Sequence, residues 1–166
     1  MDVEWGSLDF LILDLPPGTG DIQLTLTQKI KMTGSIIVTT PQDIALSDVR
    51  KGADMFKKVN TPVLGVIENM SGLLLSGNTN NPNSKILIDS EELEIDVNGN
   101  FNINIDIFKK DGGQKESERL GVPLLGKIPL SKEIMKATDS GVPIVVSDVN
   151  DKVGEVYFSL ADKVSK

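Results

Sequence analysis

Residues 8–21 read Leu8-Asp9-Phe10-Leu11-Ile12-Leu13-Asp14-Leu15-Pro16-Pro17-Gly18-Thr19-Gly20-Asp21. The apolar run in this stretch hardly alternates, which is typical of a strand buried on both faces in a parallel sheet covered by helices. An unpaired aspartate is costly in a dry core, so we expect Asp14 at the mouth of that strand, where open α/β sheets bind ligands. The turn after it can bring backbone N–H groups close to an anion, because glycine carries no Cβ. A strand that ends in a capping aspartate and a stiff turn would leave the same pattern.

Helices and strands are predicted to alternate after this stretch. The predicted elements are a helix over residues 22–31, a strand over 34–39, a helix over 44–59 and a strand over 62–69. Asp21 and Asp43 are placed to cap the two helices, and the apolar spacing of the second helix predicts an inward stripe that starts at Ile44. Alternation at this spacing indicates right-handed βαβ crossovers and a parallel sheet.

The pattern changes beyond residue 70. Residues 71–84 are rich in Asn and Gly and are predicted to form a loop. Strict alternation over residues 93–107 then predicts a hairpin with one apolar face. A three-residue loop, Asn98 to Asn100, would keep the apolar side chains of both strands on that face and pair Val97 with Phe101. A two-residue turn at Asn98-Gly99 would put the two apolar sets on opposite faces.

Alternation of helices and strands resumes after residue 110. The predicted elements are a short helix ending near Leu120, a strand over 122–128, a helix over 132–139, an extended segment over 144–146 and a helix over 153–164. Gly121 and Gly141 follow two of the helices as expected for C-terminal caps. Ser131 is placed to cap the helix over 132–139, and Asp148 or Asn150 is placed to cap the last one.

The composition excludes several classes of function. The net charge is −7 and the basic residues are scattered, so nucleic acid is not expected as a partner. No apolar run approaches the length of a membrane span, and residues 1–5 lack the features of a signal peptide, so we expect a cytoplasmic protein without membrane contact. With no cysteine and no histidine, the chain has no thiolates for an iron–sulfur cluster, and any metal must be bound by oxygen.

Three short motifs are specific in combination. They are Asp14-Leu-Pro-Pro-Gly-Thr-Gly-Asp21, Thr39-Thr-Pro-Gln-Asp43 and Glu68-Asn-Met-Ser71. With them the chain resembles the Mrp/ApbC-type P-loop ATPases, relatives of the MinD/ParA ATPases that act as iron–sulfur cluster carriers or scaffolds. The resemblance runs over residues 5–71 and 107–166. It implies an α/β fold of the deviant-Walker (SIMIBI) type, with a parallel sheet flanked by helices, with ATP and Mg²⁺ as ligands, and with a homodimer as the assembly.

The resemblance also implies a nucleotide site. Asp14 would be the Walker B acid, which orients Mg²⁺ through a water molecule, and the Gly18 N–H would sense the γ-phosphate. Asn69 matches the asparagine that faces adenine, and Pro129 lies in the loop that lines the other side of the base. The alternatives are Asn69 as a turn former and Pro129 as a helix starter. The implied nucleotide-binding residues are Asp14, Pro16, Pro17, Gly18, Thr19, Asn69 and Pro129.

The chain departs from the family pattern in two ways. It contains no G-x-x-x-x-G-K-[ST] phosphate loop. We therefore expect residues 1–166 to be the C-terminal part of one P-loop NTPase domain without its N-terminal phosphate-loop unit, and with an insertion at about residues 72–106 that holds the hairpin. Phosphoryl transfer depends on positioning and charge neutralisation, so this part alone should not hydrolyse ATP. The family's Cys-x-x-Cys pair is also absent.

Three functions stay open at this point. ATP-dependent transfer or assembly of iron–sulfur clusters, with apo-protein recipients as partners, is what the resemblance implies. The missing cysteines favour a MinD/ParA-like switch ATPase without cluster chemistry. A non-catalytic interaction module that uses the hairpin is the third reading. Independently of the function, we expect the apolar face of the hairpin to pack at or beside a homodimer interface, with packing on the helices of its own domain as the alternative. An organellar matrix location would replace the cytoplasmic one if a targeting segment had been lost.

Overall fold

The computed structural model describes residues 3–16, 20–88, 91–147 and 152–165. In chain order, the helices and strands in these ranges are α1 (Asp21–Lys29), β1 (Ser35–Thr39), α2 (Asp43–Lys58), β2 (Val63–Asn78), β3 (Lys85–Ile88), β4 (Glu91–Glu94), β5 (Asn100–Ile105), α3 (Gly112–Leu120), β6 (Leu124–Leu130), α4 (Lys132–Ser140), α5 (Ile144–Ser147) and α6 (Lys152–Val164). The alternation predicted from residue 22 to residue 69 is confirmed.

β2 is the central strand of a four-stranded sheet. β1 and β6 lie parallel to the first half of β2, on opposite sides of it, and β5 lies antiparallel to the second half. Thr39, Glu68 and Lys127 are aligned across the three parallel strands. The carboxyl ends of these strands therefore meet at one edge of the sheet. The fold is α/β, with a parallel sheet flanked by helices.

Two apolar cores cover the two faces of this sheet. One lies under α2 and α3, and the other lies under α4 and α6. Successive side chains of a strand point to opposite faces, which is why Ile37 belongs to the first core and Ile36 to the second. The buried members are Ile37, Ala53, Met55, Phe56 and Val66 in the first core, and Leu125, Ile128 and Leu160 in the second. One face of β1 is buried in the first core, whereas on the other face Ile36 packs against the second core and Val38 is exposed.

The predicted inward stripe of α2 is correct except at its start. Val49, Ala53 and Phe56 face the first core, whereas Ile44 is exposed and Leu46 is buried instead. The difference has a geometric reason. Positions 46, 49, 53 and 56 follow the three- and four-residue spacing of one helix face, and position 44 lies off that face.

The predicted helix ends are confirmed at three of five positions. The Ser131 hydroxyl accepts a hydrogen bond from a backbone N–H in the first turn of α4 at 3.0 Å, as predicted. Gly121 and Gly141 end α3 and α4 in the left-handed conformation, both with φ of 69°. Asp21 and Asp43 are not caps, because α1 and α2 begin one residue earlier than predicted. They occupy the first helical position, where their charge favours the helix dipole.

The loop predicted over residues 71–84 is wrong in its first half, because β2 continues to Asn78. Asn69 pairs with Ile128 and Leu73 pairs with Leu130, so β2 has a bulge in between, where Gly72 has a φ of 150°. Gly77 looks like a loop residue in the sequence. In the sheet it leaves room for the ring of Phe101 on β5, which a Cβ would displace.

The hairpin predicted over residues 93–107 is also wrong in its pairing. β4 pairs with β3, and β5 pairs with the second half of β2. The turn between β4 and β5 is closed one residue earlier than predicted, by an N–H of Asp96 that donates to the Asn100 carbonyl at 3.0 Å. Alternation shows which residues share a face, and it does not name the partner strand. β5 pairs with β2 because both strands have apolar side chains on the same face of the sheet, as in the cross-strand pair of Leu75 and Ile103.

The apolar run of residues 8–15 does not form the predicted buried strand. Ile12 is 89% exposed, Phe10 is 65% exposed, and Leu15 is the member of the run that packs against the first core. A strand buried on both faces needs a neighbouring strand and covering helices. Within the described ranges, no strand pairs with this segment. The apolar pattern predicts burial only if neighbouring strands and helices cover the segment, and within the described ranges no strand does so.

Two predictions near the C-terminus remain. Residues 144–146 were expected to be extended, and instead they begin the short helix α5. The Pro143 carbonyl accepts hydrogen bonds from the N–H groups of Val146 and Ser147. A helical turn therefore gives these two N–H groups a partner within the segment. Asp148 and Asn150, the predicted caps of α6, lie outside the described residues.

A buried carboxylate joins α2 to α3. Glu116 is fully buried and accepts hydrogen bonds from Arg50 at 3.1 Å and from Arg119 at 2.6 Å. Arg119 also lies 3.5 Å from Asp54 of α2. The hydrogen bond to Glu116 is the main reason why the pKa of Arg119 is raised. A buried carboxylate needs such partners, since an unpaired charge in the interior is strongly unfavourable.

We expect Arg119→Met to lower the free energy of unfolding by about 2 kcal/mol, because the buried Glu116 carboxylate then keeps one of its two cationic partners. The control is Lys51→Met, which breaks an exposed ion pair with Asp48 and should cost less than about 0.5 kcal/mol. Urea unfolding followed by circular dichroism measures both values. Equal losses in the two variants would contradict a stabilising role for the buried pair.

Candidate functional site

The carboxyl edge of the three parallel strands is the candidate functional site. β1 ends there at Thr39, and the parallel part of β2 ends at Asn69. β6 reaches the same edge at Ile128 and Pro129. α3 begins nearby, because the Gly113 N–H in its first turn is bonded to Glu68 of β2. In open α/β sheets this edge is where ligands bind.

Two of the sequence-predicted site residues come together at this edge. Asn69 is half-buried and pairs with Ile128, so it lies beside Pro129 on the neighbouring strand. The Asn69 side-chain oxygen accepts the Met70 N–H at 2.9 Å. This bond orients the amide so that its NH₂ group is left to donate to a ligand. The bulge of β2 follows directly, and bulges often redirect side chains next to binding sites.

The other predicted residues stand apart from this pair. Asp14 is exposed, and within the described ranges it has neither a hydrogen bond nor an ion pair. The Pro16 carbonyl accepts a hydrogen bond from the Gln23 side-chain amide of α1. Pro17, Gly18 and Thr19 lie outside the described residues. The structure thus groups Asn69 with Pro129 and does not join Asp14 to them.

Within the described ranges, two buried polar atoms lack a hydrogen-bond partner. They are the side-chain oxygen of Gln23, beside Pro16, and the hydroxyl oxygen of Thr40, directly after β1. Gln23 is only 3% exposed. Buried polar groups are normally satisfied, so the unpartnered Thr40 hydroxyl is suited to a polar group that reaches the carboxyl edge.

Sequence reasoning missed the carboxylate that organises the site. Glu68 is 1% exposed, and its Oε2 accepts the Gly113 N–H at 2.6 Å. The Lys127 ammonium lies 3.7 Å from Glu68 Oε1 and 2.6 Å from Asp111 Oδ1. Gly113 must be glycine, because an added Cβ would lie 2.7 Å from the Cβ of Glu68. Two features of the sequence could have indicated this contact. They are the acidic Glu68 at the end of a predicted strand and the glycine pair Gly112-Gly113 further along the chain.

Ion pairs hold the segment before α3 in place. The Lys127 side chain bonds to Asp111 and lowers the pKa of that carboxyl, and the same bond is the main reason why the pKa of Lys127 is raised. Lys109 lowers the pKa of Asp43 at the start of α2 in the same way. Asp43, Asp111 and Lys127 are therefore charged at neutral pH. The edge of the sheet is lined by fixed charges of both signs.

Two general features limit the chemistry of this chain. Among the described residues, no three His, Cys, Asp or Glu side chains are grouped so that they could hold a metal ion. A Mg²⁺ site centred on Asp14 would therefore need water or ligand oxygens in addition.

None of the helices in the described part of the chain is both long enough and apolar enough to span a bilayer.

Comparison with known sequences identifies relatives over nearly the whole chain. The family model described as ParA, NUBPL iron-transfer P-loop NTPase, matches residues 1–165. An iron–sulfur cluster carrier protein of Pseudomonas fragi is 42% identical over 95% of this chain and 47% of its own length. The iron–sulfur cluster transfer protein NUBPL of Mus musculus is 40% identical, with 98% of this chain and 44% of that protein covered. An Arabidopsis thaliana protein, described as a mitochondrial iron–sulfur protein required for NADH dehydrogenase, is 39% identical over 99% of this chain and 45% of its own length.

Comparison with solved structures agrees on the fold. A nucleotide-binding protein of Archaeoglobus fulgidus in complex with ADP superposes with a TM-score of 0.58 and 28% identity, over 91% of this chain and 51% of that one. The cell division ATPase MinD of Pyrococcus furiosus gives a TM-score of 0.51 at 22% identity, over 80% of this chain and 42% of that one. The second likeness concerns the fold alone.

The chain spans a little under half the length of these curated relatives, between 44% and 47%. Within that span the match is nearly continuous, and the family model leaves out one residue. The resemblance drawn from the three sequence motifs is confirmed. The chain belongs to the Mrp/NUBPL family of iron-transfer P-loop NTPases.

Proposed function

We propose that this chain provides the base-binding side and the Mg²⁺-orienting acid of an ATP-binding iron–sulfur cluster carrier. The observation that carries the proposal is the pair of Asn69 and Pro129 at the carboxyl edge, with the Asn69 amide NH₂ left to donate. A purine offers ring nitrogens that accept such a bond and a flat apolar face that suits proline. The unpartnered hydroxyl oxygen of Thr40, directly after β1, supports a polar ligand at this edge.

Each residue has a distinct role in this proposal. Asn69 donates to the base, and Pro129 covers one of its faces. Asp14 would orient Mg²⁺ through a water molecule, and the ion would neutralise phosphate charge. As the resemblance implies, the turn over residues 16–19 would supply the Gly18 N–H as a donor to the terminal phosphate. The buried Glu68 keeps β2 and α3 together, so that Asn69 is presented from a rigid strand end.

The residues of this chain do not fit an iron–sulfur cluster. Clusters are held mainly by cysteine thiolates, and the chain has no cysteine and no histidine. In the carrier function, thiolates from outside this chain would hold the cargo, and apo-proteins would receive it. A homodimer is the assembly that we propose. The predicted cytoplasmic location stays a prediction, since one of the relatives is a mitochondrial protein.

The absence of cysteine favours a second candidate, a MinD/ParA-like nucleotide switch without cluster chemistry. The two candidates share the nucleotide and differ in the cargo. Anaerobic incubation of the protein purified from its native cells with iron and sulfide separates them. Stoichiometric bound iron supports the carrier, whereas nucleotide binding without iron supports the switch.

The nucleotide site can be tested in a chimera that joins the preceding part of the Pseudomonas fragi carrier to this chain. We expect the chimera to bind a fluorescent ADP analogue, and Asn69→Ala to weaken that binding about tenfold, which corresponds to one hydrogen bond of about 1.4 kcal/mol. Asn81→Ala, in the exposed segment between β2 and β3, is the matched control and should leave the affinity unchanged. A folded chimera that binds no nucleotide, or that binds it equally well after Asn69→Ala, would overturn the proposal.

The chain by itself should bind Mg-ATP weakly or not at all and release no phosphate above background. The reason is that it has no phosphate loop to hold the β- and γ-phosphates. Calorimetric titration and a phosphate-release assay check both points. Turnover that disappears on Asp14→Ala would show that the chain is catalytically complete, contrary to this expectation.

A further inference from the structure

β5 is an edge strand without the usual protection of edges. Within the described ranges it pairs with β2 and with no other strand, which leaves its second edge open. Its six residues, Asn-Phe-Asn-Ile-Asn-Ile, include no charge, no proline and no glycine. Natural proteins usually block an open edge with lysine, proline or a bulge, because it otherwise pairs with another chain. The strand thus has the composition of a pairing surface.

The backbone groups of Asn102 and Asn104 point towards this open edge. The Asp96 N–H donates to the Asn100 carbonyl at 3.0 Å, and the Asn100 N–H donates to the Asp96 carboxylate at 2.8 Å. The backbone of Asn100 is therefore directed away from β2. Directions alternate along a strand, so Asn102 and Asn104 share that orientation, and the residues between them face β2. Each copy presents two N–H and two carbonyl groups along this edge.

We propose that β5 pairs antiparallel with β5 of a second copy of this chain, about a two-fold axis through Ile103. This inference deepens the homodimer proposed above and rests on it. In this register Asn102 lies opposite Asn104 of the second copy, and Asn104 lies opposite Asn102 of the second copy. Both are hydrogen-bonded pairs, so all four outward groups of each copy are satisfied in four hydrogen bonds.

The neighbouring registers are less favourable. A shift of one residue places the apolar face of one copy beside the polar face of the other. A shift of two residues in one direction centres the pair on Asn102 and requires the backbone of Asn100, which Asp96 already occupies. A shift of two residues in the other direction centres the pair on Asn104 and requires Asp106, which lies beyond the end of β5. The register through Ile103 keeps Phe101 opposite Ile105 of the second copy. The apolar faces of the two sheets are then continuous.

The charges at the two ends of the strand favour an antiparallel arrangement over a parallel one. Glu94 and Asp96 precede β5, whereas Asp106, Lys109, Lys110 and Asp111 follow it, so one end is acidic and the other carries both signs. The hydrogen bond from the Asn100 backbone is the main reason why the pKa of Asp96 is lowered, so this carboxylate is charged at neutral pH. Both lysines are more than half exposed despite their ion pairs within the chain. Antiparallel pairing brings the acidic end of each copy towards the end of the other copy that carries both signs, whereas parallel pairing would bring the two acidic ends together.

The test uses paired charge variants in the full chain. Phe10→Ser and Ile12→Ser are introduced throughout, so that the exposed apolar run does not cause association of its own. In the proposed register, Asn102→Lys with Asn104→Lys places like charges opposite each other twice, whereas Asn102→Lys with Asn104→Asp places opposite charges there. Sedimentation equilibrium measures the dimer dissociation constant. We expect at least about a tenfold weaker dimer for the first pair than for the second.

The outcomes separate the proposed edge from the homodimer itself. A dimer that weakens with the first pair and persists with the second supports both. A dimer unaffected by either pair keeps the homodimer and overturns the β5 edge, and a monomer before any change in β5 overturns both. If the variants do not fold, amide hydrogen exchange of the parent chain decides. Concentration-dependent protection of the Asn102 and Asn104 N–H groups supports the edge, and fast exchange at all concentrations overturns it.

Discussion

The buried Glu68 carboxylate is the interaction on which the rest of the structure depends. It lies at the end of the parallel part of β2, accepts the Gly113 N–H of α3 and faces Lys127 of β6. Burying a carboxylate is unfavourable without such partners, so the three elements are tied together at one point. A helix N-terminus is also a favourable place for negative charge. The carboxyl edge, where Asn69 and Pro129 meet, is rigid for this reason.

A single long strand connects that edge to the antiparallel part of the sheet. β2 runs for 16 residues, first between β1 and β6 and then beside β5. The bulge after Asn69 separates the two parts, and Gly72 is needed there because a Cβ would collide with the Asn104 side chain of β5. The proposed nucleotide site and the proposed pairing edge therefore share a continuous backbone.

The relatives of this chain are named as iron–sulfur cluster carriers, whereas its own residues are suited to a nucleotide and not to a cluster. The relatives named as cluster carriers match over nearly the whole chain, yet no residue of this chain can act as a thiolate ligand. A fold hosts functions through specific sites, and a site can be absent while the fold persists. The features that remain at the carboxyl edge are suited to a nucleotide. In the proposed carrier function, groups outside this chain would hold the cargo.

The sequence by itself determined the features that depend on neighbouring residues. The alternation of helices and strands, the Ser131 cap, the left-handed glycines and the family motifs are all local, because each follows from a few consecutive side chains. Only the tertiary structure decided which strand pairs with which and which polar groups are buried. β5 joined β2 and not residues 93–97, since periodicity assigns faces without naming partners. Residues 8–15 stayed exposed because their burial requires cover that an apolar pattern cannot supply, and Glu68 became the organising group because α3 and β6 converge on it.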